Sequence, residues 1–411
     1  MTDTMTTRPV WQGRTLALLG IALFAFSLRS AVASLSPVVD QIQADISVPA
    51  WAIGLIGTAP PVCFALFGIL TPQIERRWGL ERTSVLALAV VTIGLVARGL
   101  AGDATALVLS TALIFAGVGM GNILLPPLVN KHFPDRIGLM TTVYTTTMSF
   151  STFLPPLFAV PVADAAGWRF SLALWSVFAL LAIIPWMTML LRDRGGSAAP
   201  DLASAAPGVF RRLWRLPLAW ALTVIFLVSS CVAYTSFAWL PTMLIDLAGV
   251  TPAEAGGMLS LFAVMGLPAS LLVPVLVTRY RALPALFTIA VLAGLGGLAG
   301  LLFAPAAAPW AWAALLGVAP LLFPLSLVMI SLRTRTHEGT VALSGFVQSV
   351  GYAIAATVPL AVGILHDATG DWTGSLILLA VVVAAVIPAA ISAVRPRTIE
   401  DEWERRHGAW Q

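Results

Sequence analysis

The chain has 411 residues, 59% of them hydrophobic and only 10% charged, with a mean hydropathy of +0.92. A soluble domain carries about a quarter charged residues, so this composition excludes an ordinary soluble fold and points to a polytopic membrane protein. The net charge of +4 would fit a nucleic-acid binder, but Lys and Arg also gather in the cytoplasmic loops of membrane proteins; here they sort by loop, so no nucleic-acid partner is expected.

Apolar runs of the roughly 20 residues a helix needs to cross the hydrocarbon core fall at 15–38, 50–73, 83–101, 105–128, 138–163, 169–191, 216–240, 254–278, 283–303, 310–331, 341–364 and 373–394. They predict an all-α membrane protein with twelve transmembrane helices in two six-helix bundles. Residues 1–14 form a cytoplasmic N-terminus, 15–191 the first bundle, 192–215 a cytoplasmic linker, 216–394 the second bundle and 395–411 a cytoplasmic tail. With both termini inside, twenty of the 23 Lys and Arg residues lie on the inner side, Arg98 and Arg169 fall outside, and Arg29 lies within the membrane. Such an asymmetry sets orientation and predicts a multi-pass protein of the inner (plasma) membrane.

The first run contains FAFSLRSAVASLS, residues 24–36. Counted from Thr15, Arg29 lies about 21 Å along a helix, past the midplane. Intramembrane charges are costly and usually line a cavity. Three readings of Arg29 need no ligand: it snorkels to the outer interface, Ala31–Ala33 is a signal-peptidase site, or the guanidinium locks helices by bonding carbonyls. Asp40, the nearest following acid, is about 16 Å away along a helix and hard to reach, and cleavage would remove helix one. The fourth reading is a ligand site. None of the 19 Asp and Glu lies deep within a span, an unpaired buried cation is costly, and the planar fork of Arg suits a carboxylate or another flat anion. Arg29 is expected to bind an anionic substrate.

Further along, Cys63 and Cys231 both fall in apolar runs, so no disulfide framework or metal site is expected. Asn122 in helix four can donate and accept, beside glycines that permit close approach; it faces a ligand or bonds a neighbouring helix. Tyr144 in helix five, Tyr234 and Trp239 in helix seven, and Gln348 and Tyr352 in helix eleven line the substrate path or pack, Trp239 as interfacial belt. His132 reads as a solvated loop histidine, and Asp164 and Asp367 as structural. Residues 192–215 carry Gly, Ser, Ala and Pro in the proportions of a flexible linker.

The two halves resemble each other. Pro156/Pro359, Leu157/Leu360, Asp164/Asp367, Ala165/Ala368 and Gly167/Gly370 are each offset by 203 residues, as are AIIP at 182–185 and AVIP at 385–388. Six helices repeated in one orientation are the mark of a two-bundle transporter with its substrate held between the bundles.

On these residues the chain resembles the major facilitator superfamily, and within it the cyanate transporter and nitroimidazole efflux (CynX/NimT) family. Ser27-Leu28-Arg29-Ser30 stands where that family's first helix has an Asn-Leu-Arg-Pro-like motif; Ser27 and Ser30 flank the arginine in place of Asn and Pro. Thr58–Thr83 resembles its second helix and following loop, and Gly117–Thr145 its fourth and fifth helices. Where the superfamily loop usually reads Gly-x-x-x-Asp-Arg-x-Gly, this chain has Pro72, Arg76, Arg77 and Gly79. The resemblance implies a transporter of small molecules.

The expected function is a secondary active or facilitative transporter that moves a small anion, cyanate-like or a small carboxylate, by alternating access. Candidate substrate-binding residues are Arg29, Asn122, Tyr144, Tyr234, Gln348 and Tyr352. The alternative is an exporter of a neutral drug-like compound such as a nitroimidazole. With no nucleophile, acid pair or metal constellation at membrane depth, neither an enzyme, a catalytic residue, a metal nor a cofactor is expected. Its partners are the small-molecule substrate and the lipid bilayer, and the chain is expected to be a monomer. Without a buried carboxylate, tight proton coupling is not supported; substrate-assisted proton symport and uniport both stay open.

Overall fold

The computed structural model describes residues 14–192, 207–408 and 410, so the segment before residue 14 and most of the expected linker lie outside it. Every regular element among the described residues is helical. In chain order the long helices are α1 (Thr15–Ser30), α2 (Ala50–Trp78), α3 (Leu80–Gly99), α4 (Ala104–His132), α5 (Ile137–Ala166), α6 (Trp168–Leu191), α7 (Pro217–Ala248), α8 (Pro252–Thr278), α9 (Leu283–Phe303), α10 (Pro309–Leu332), α11 (Gly339–Thr369) and α12 (Thr373–Val394). Ten of them, all but α1 and α5, are long and apolar enough to cross a bilayer. Helix α1 has only 16 residues, and α5 has 30 with a Thr- and Ser-rich first half.

The run at 15–38 is not one helix. Helix α1 stops at Ser30, and a mostly buried stretch leads to a single tight turn at Ser36–Val38. Pro37 has no N–H for the carbonyl four residues back, and its ring crowds that carbonyl. Ser30 and Ser34 turn their hydroxyls back onto the carbonyls of Ser27 and Ala31, each at 3.5 Å. Non-helical backbone at membrane depth is tolerated only inside protein or along a cavity, and this break is packed by a residue the sequence reading put outside. Arg98 is completely buried; its Nη1 donates to Ala31 O at 3.2 Å and its Nη2 to Ser34 Oγ at 2.8 Å.

The end of the molecule carrying the described chain termini is termed the tail face and the opposite end the far face. On the tail face Arg14 pairs with Asp135 between α4 and α5. His132 is not a solvated loop residue: it ends α4 beside Glu81, 3.5 Å away, and its ring lies 5.7 Å from that of Trp186. A final helix, α13 (Ile399–His407), folds under the second half of the chain. The buried carboxylate of Glu402 accepts from the Leu218 backbone N–H at 3.0 Å, at the start of α7. The buried Glu400 accepts from Thr336 N and Oγ1 at 3.1 and 3.0 Å, where the chain enters α11. Both carboxylates thus meet the unsatisfied donors and positive dipole of a helix N-terminus.

On the far face the internal repeat reappears as contacts. Helix α5 ends at Gly167 (φ +86°) and α11 at Gly370 (φ +72°), each with a positive φ that glycine adopts without strain. After each turn a tryptophan indole donates to an aspartate of its own half, Trp168 to Asp45 at 3.2 Å and Trp372 to Asp246 at 2.9 Å. Ser171 donates to Ala159 O at 2.8 Å, and Ser375 to Val362 O at 3.2 Å. Asp164, expected to be structural, accepts from Gln41 Nε2 at 2.8 Å.

The Arg29 cavity between the two halves

The two halves meet along α2 with α11 and α5 with α8, and the far-face part of both seams is closed in the same way. Thr58 Oγ1 of α2 donates to Ala356 O of α11 at 2.7 Å, and Ser260 Oγ of α8 donates to Phe153 O of α5 at 2.9 Å. One turn further out, a glycine lets each pair approach backbone to backbone. A Cβ on Gly54 would stand 3.2 Å from Pro359 O, and one on Gly256 only 2.7 Å from Pro156 O. Equivalent residues of the two seams are 202 or 203 positions apart in the chain. Gly57 adds a third close point, where a Cβ would meet Ala238 Cβ at 2.7 Å and Pro359 Cβ at 3.0 Å.

Towards the tail face the same helices part. Residues 54, 57, 58, 61, 64 and 68 share one face of α2 at helical spacing, as 345, 348, 352, 356, 359 and 363 do on α11. A Cβ at Gly68 or Gly345 would meet nothing within 4 Å. Phe64 and Tyr352 bridge this pair below the seam, with ring centroids 5.7 Å apart.

Beneath the closed seam lies a cavity of about 160 Å³ lined by Arg29, Ser229, Ser230, Tyr234, Phe237 and Phe262, with Phe323 and Tyr352 among the remaining residues. Arg29 enters from the last turn of α1. Its guanidinium faces the Tyr234 phenol in the same lining, and the Tyr234 and Tyr352 rings stand 6.3 Å apart between centroids. Phe64 and Phe226 pack edge-on against Tyr352 at 5.7 and 4.8 Å, holding the two phenols under the cation. Among the described residues no carboxylate pairs with Arg29. The carbonyl end of α1 offsets some of its charge, by under about 1 kcal/mol at a typical helix terminus, against the several kcal/mol that desolvating an ion costs.

Of the residues singled out from sequence, Arg29, Tyr234 and Tyr352 come together here. Gln348 sits one turn towards the tail face from Tyr352, with Nε2 bonded to Ser344 Oγ at 2.8 Å. Ser27 and Ser30 do not point into the cavity: they are buried and bond Leu23 O at 2.8 Å and Ser27 O at 3.5 Å. Asn122 of α4 and Tyr144 of α5 are half-buried and outside the cavity lining. Trp239 is buried rather than interfacial, its indole donating to Pro359 O at 3.0 Å. The sequence reading missed the Ser229–Ser230 pair and the phenylalanines; adjacent serines within an otherwise apolar run were the available signal. Cys63 and Cys231 are free and buried, and no group of acidic, His and Cys side chains among the described residues could hold a metal.

A family model described as Major Facilitator Superfamily matches residues 17–356. The chain is 34% identical over 394 residues to the uncharacterized transporter YycB of Bacillus subtilis (strain 168), covering 95% of this chain and 96% of that one. It is 31% identical over 390 residues to the 2-nitroimidazole transporter of Escherichia coli (strain K12), covering 94% and 98%. To the cyanate transport protein CynX of the same organism it is 24% identical over 366 residues, covering 86% and 91%. Among solved structures, an inward-facing, occupied bacterial homolog of the human lysosomal transporter Spinster matches with a TM-score of 0.72 at 16% identity, covering 96% of this chain and 99% of that one.

Proposed function

Because the chain belongs to the Major Facilitator Superfamily, and is therefore a membrane transporter and not an enzyme, we propose that its cargo is a small anion bound by Arg29. The carrying observation is that the guanidinium faces a cavity of about 160 Å³ with no carboxylate partner among the described residues. An incoming carboxylate or cyanate-like anion supplies the missing charge and accepts bidentate hydrogen bonds from the planar fork. The Tyr234 and Tyr352 hydroxyls orient it, and the surrounding aromatic rings keep bulk water from competing.

The chain crosses the membrane twelve times, and the tail face is cytoplasmic. The far seam is then the outer gate, closed, with the Arg29 cavity facing inwards. Helices α1–α6 and α7–α12 rock as two bundles, exposing Arg29 to each side in turn. Gln348, Asn122 and Tyr144 lie along the inner path.

Counterflow in proteoliposomes tests this, with cyanate, formate and a nitroimidazole at two pH values. Losing a charge-assisted bond costs about 1.5–3 kcal/mol, so Arg29→Gln should lower anion counterflow by on the order of 10- to 100-fold, while Arg29→Lys retains part. A second reading, export of a neutral aromatic compound, is favoured by Phe237, Phe262 and Phe323 in the lining and by the relative named a 2-nitroimidazole transporter. It predicts nitroimidazole transport that is indifferent to Arg29→Gln, and that outcome overturns the anion reading.

A further inference from the structure

Arg29 has a deeper counterpart. Where Arg29 is half-buried, Arg98 is completely buried, and no carboxylate pairs with it among the described residues. Its Nη1 and Nη2 hold the break in helix one at Ala31 and Ser34, but Nε finds no partner. Ser36 Oγ, just past the same break, is likewise buried without a partner. Both residues line one small cavity of about 20 Å³, with room for about a single water-sized molecule. Its walls come from both halves: Ile53, Ile56 and Gly57 of α2, and Tyr234, Phe237 and Ala238 of α7. Tyr234 and Phe237 also line the Arg29 cavity, so the two chambers share a partition.

We propose that Arg98 and Ser36 form a second anion-binding station on the far side of Arg29, collapsed while the far seam is closed and opened when α2 separates from α7. The anion arriving from the far face meets Arg98 first, bound by the free Nε–H and the Ser36 hydroxyl, and passes Tyr234 to reach Arg29. This rests on the reading of Arg29 as an anion site and names the earlier stop on the same path. Position explains the asymmetry between the two arginines. Arg29 already has its cavity, whereas the space at Arg98 is too small for a carboxylate until the gate that forms its walls moves apart. A purely structural Arg98 accounts for the bonds to Ala31 and Ser34, but it leaves unexplained why a buried guanidinium and a buried hydroxyl, each lacking a partner, face one shared space at the seam.

The test uses full-length protein in proteoliposomes, with Cys63 and Cys231 replaced by Ala and Ser36→Cys introduced. A membrane-impermeant thiol reagent is added at the far face and formate serves as the probe. Labelling should proceed, and saturating formate should slow it about fivefold or more, as expected for occupancy well above half. Protection should survive Arg29→Gln, survive Arg98→Lys in part, and vanish with Arg98→Gln. Absence of labelling from that face, or protection indifferent to Arg98, overturns the proposal. Because Arg98→Gln also removes the bonds to Ala31 and Ser34, a second measurement keeps Arg98 intact. Arg29→Gln protein in detergent should still gain about 2 °C in melting temperature from excess formate, and Ser36→Ala should halve that gain. No gain means that no second station exists. If Arg29→Gln leaves formate counterflow unchanged while protection still depends on Arg98, the assignment of Arg29 fails and the station stands.

Discussion

The two ends of the α2–α11 seam are built on the same helical faces yet behave oppositely. At the far face Gly54, Gly57 and Thr58 meet Ala356, Pro359 and Leu360 at backbone distance. Three turns towards the tail face, Gly68 and Gly345 look into open space. Glycine alone does not therefore bring helices together. What closes the far end is glycine combined with a hydroxyl that satisfies a carbonyl across the gap, and the α8–α5 seam repeats that combination with Gly256 and Ser260. Small residues permit approach and interhelical hydrogen bonds fix it; the tail-face glycines have the first without the second.

That contrast can be attacked directly. The largest effect is expected from Gly57→Leu, since overpacking costs about 1–3 kcal/mol or more and the new side chain would strike Ala238 and Pro359. Counterflow should drop by on the order of 10- to 100-fold, with the far face held accessible to thiol reagents. Gly68→Leu should stay within about twofold of wild type by the same assay, because a side chain there meets nothing; an equal loss at both sites would break the comparison.

Removing one hydroxyl is milder. Thr58→Val or Ser260→Ala should each shift the balance towards the far-open state by about 1 kcal/mol, roughly fivefold in labelling. Being on separate seams, the two should add to about 2 kcal/mol in the double variant. Loss confined to one seam would mean that the pseudo-symmetric pairs do not share the load.

The smallest effects concern the Trp–Asp pairs that brace each half without crossing the gap. Trp168→Phe and Trp372→Phe should each lower the melting temperature by roughly 2–4 °C while leaving counterflow intact. Hydrogen bonds from Arg169, then from Trp168, hold the Asp45 carboxyl below its ordinary 3.8. A carboxylate depressed in the folded state stabilises it above the unfolded value and loses that contribution as pH falls through the folded one. Wild type should therefore lose melting temperature below about pH 4 slightly faster than Asp45→Asn; parallel curves would show that the pair carries no linkage.

Much of this was legible in the chain because membrane depth makes polarity conspicuous. Arg29 stood out as a charge inside an apolar run, and Pro156 and Pro359 marked a repeat whose seam contacts now coincide with it. Arg98 was misplaced because it lies at the end of a span, where an exposed loop arginine and one folded inward read alike. The break after Ser30 was hidden by an apolar run that continues across it. Phe237, Phe262 and Phe323 could not be told from packing residues, since in so hydrophobic a sequence the sides of a helix facing lipid, neighbours and cavity share one composition. The tail read simply as cytoplasmic, yet its Glu400 and Glu402 are buried; nothing local in IEDEWERRH announces the helix starts they meet.

That tail has a consequence for how the molecule is made. The amide at the start of α7 finds its acceptor, Glu402, 184 residues later, and the entry to α11 waits on Glu400. During synthesis these two helices must sit in the membrane with their first turns unfinished until Glu400 and Glu402 have been added. A ribosome that stops short of Ile399 releases a second half whose foundations were never tied together.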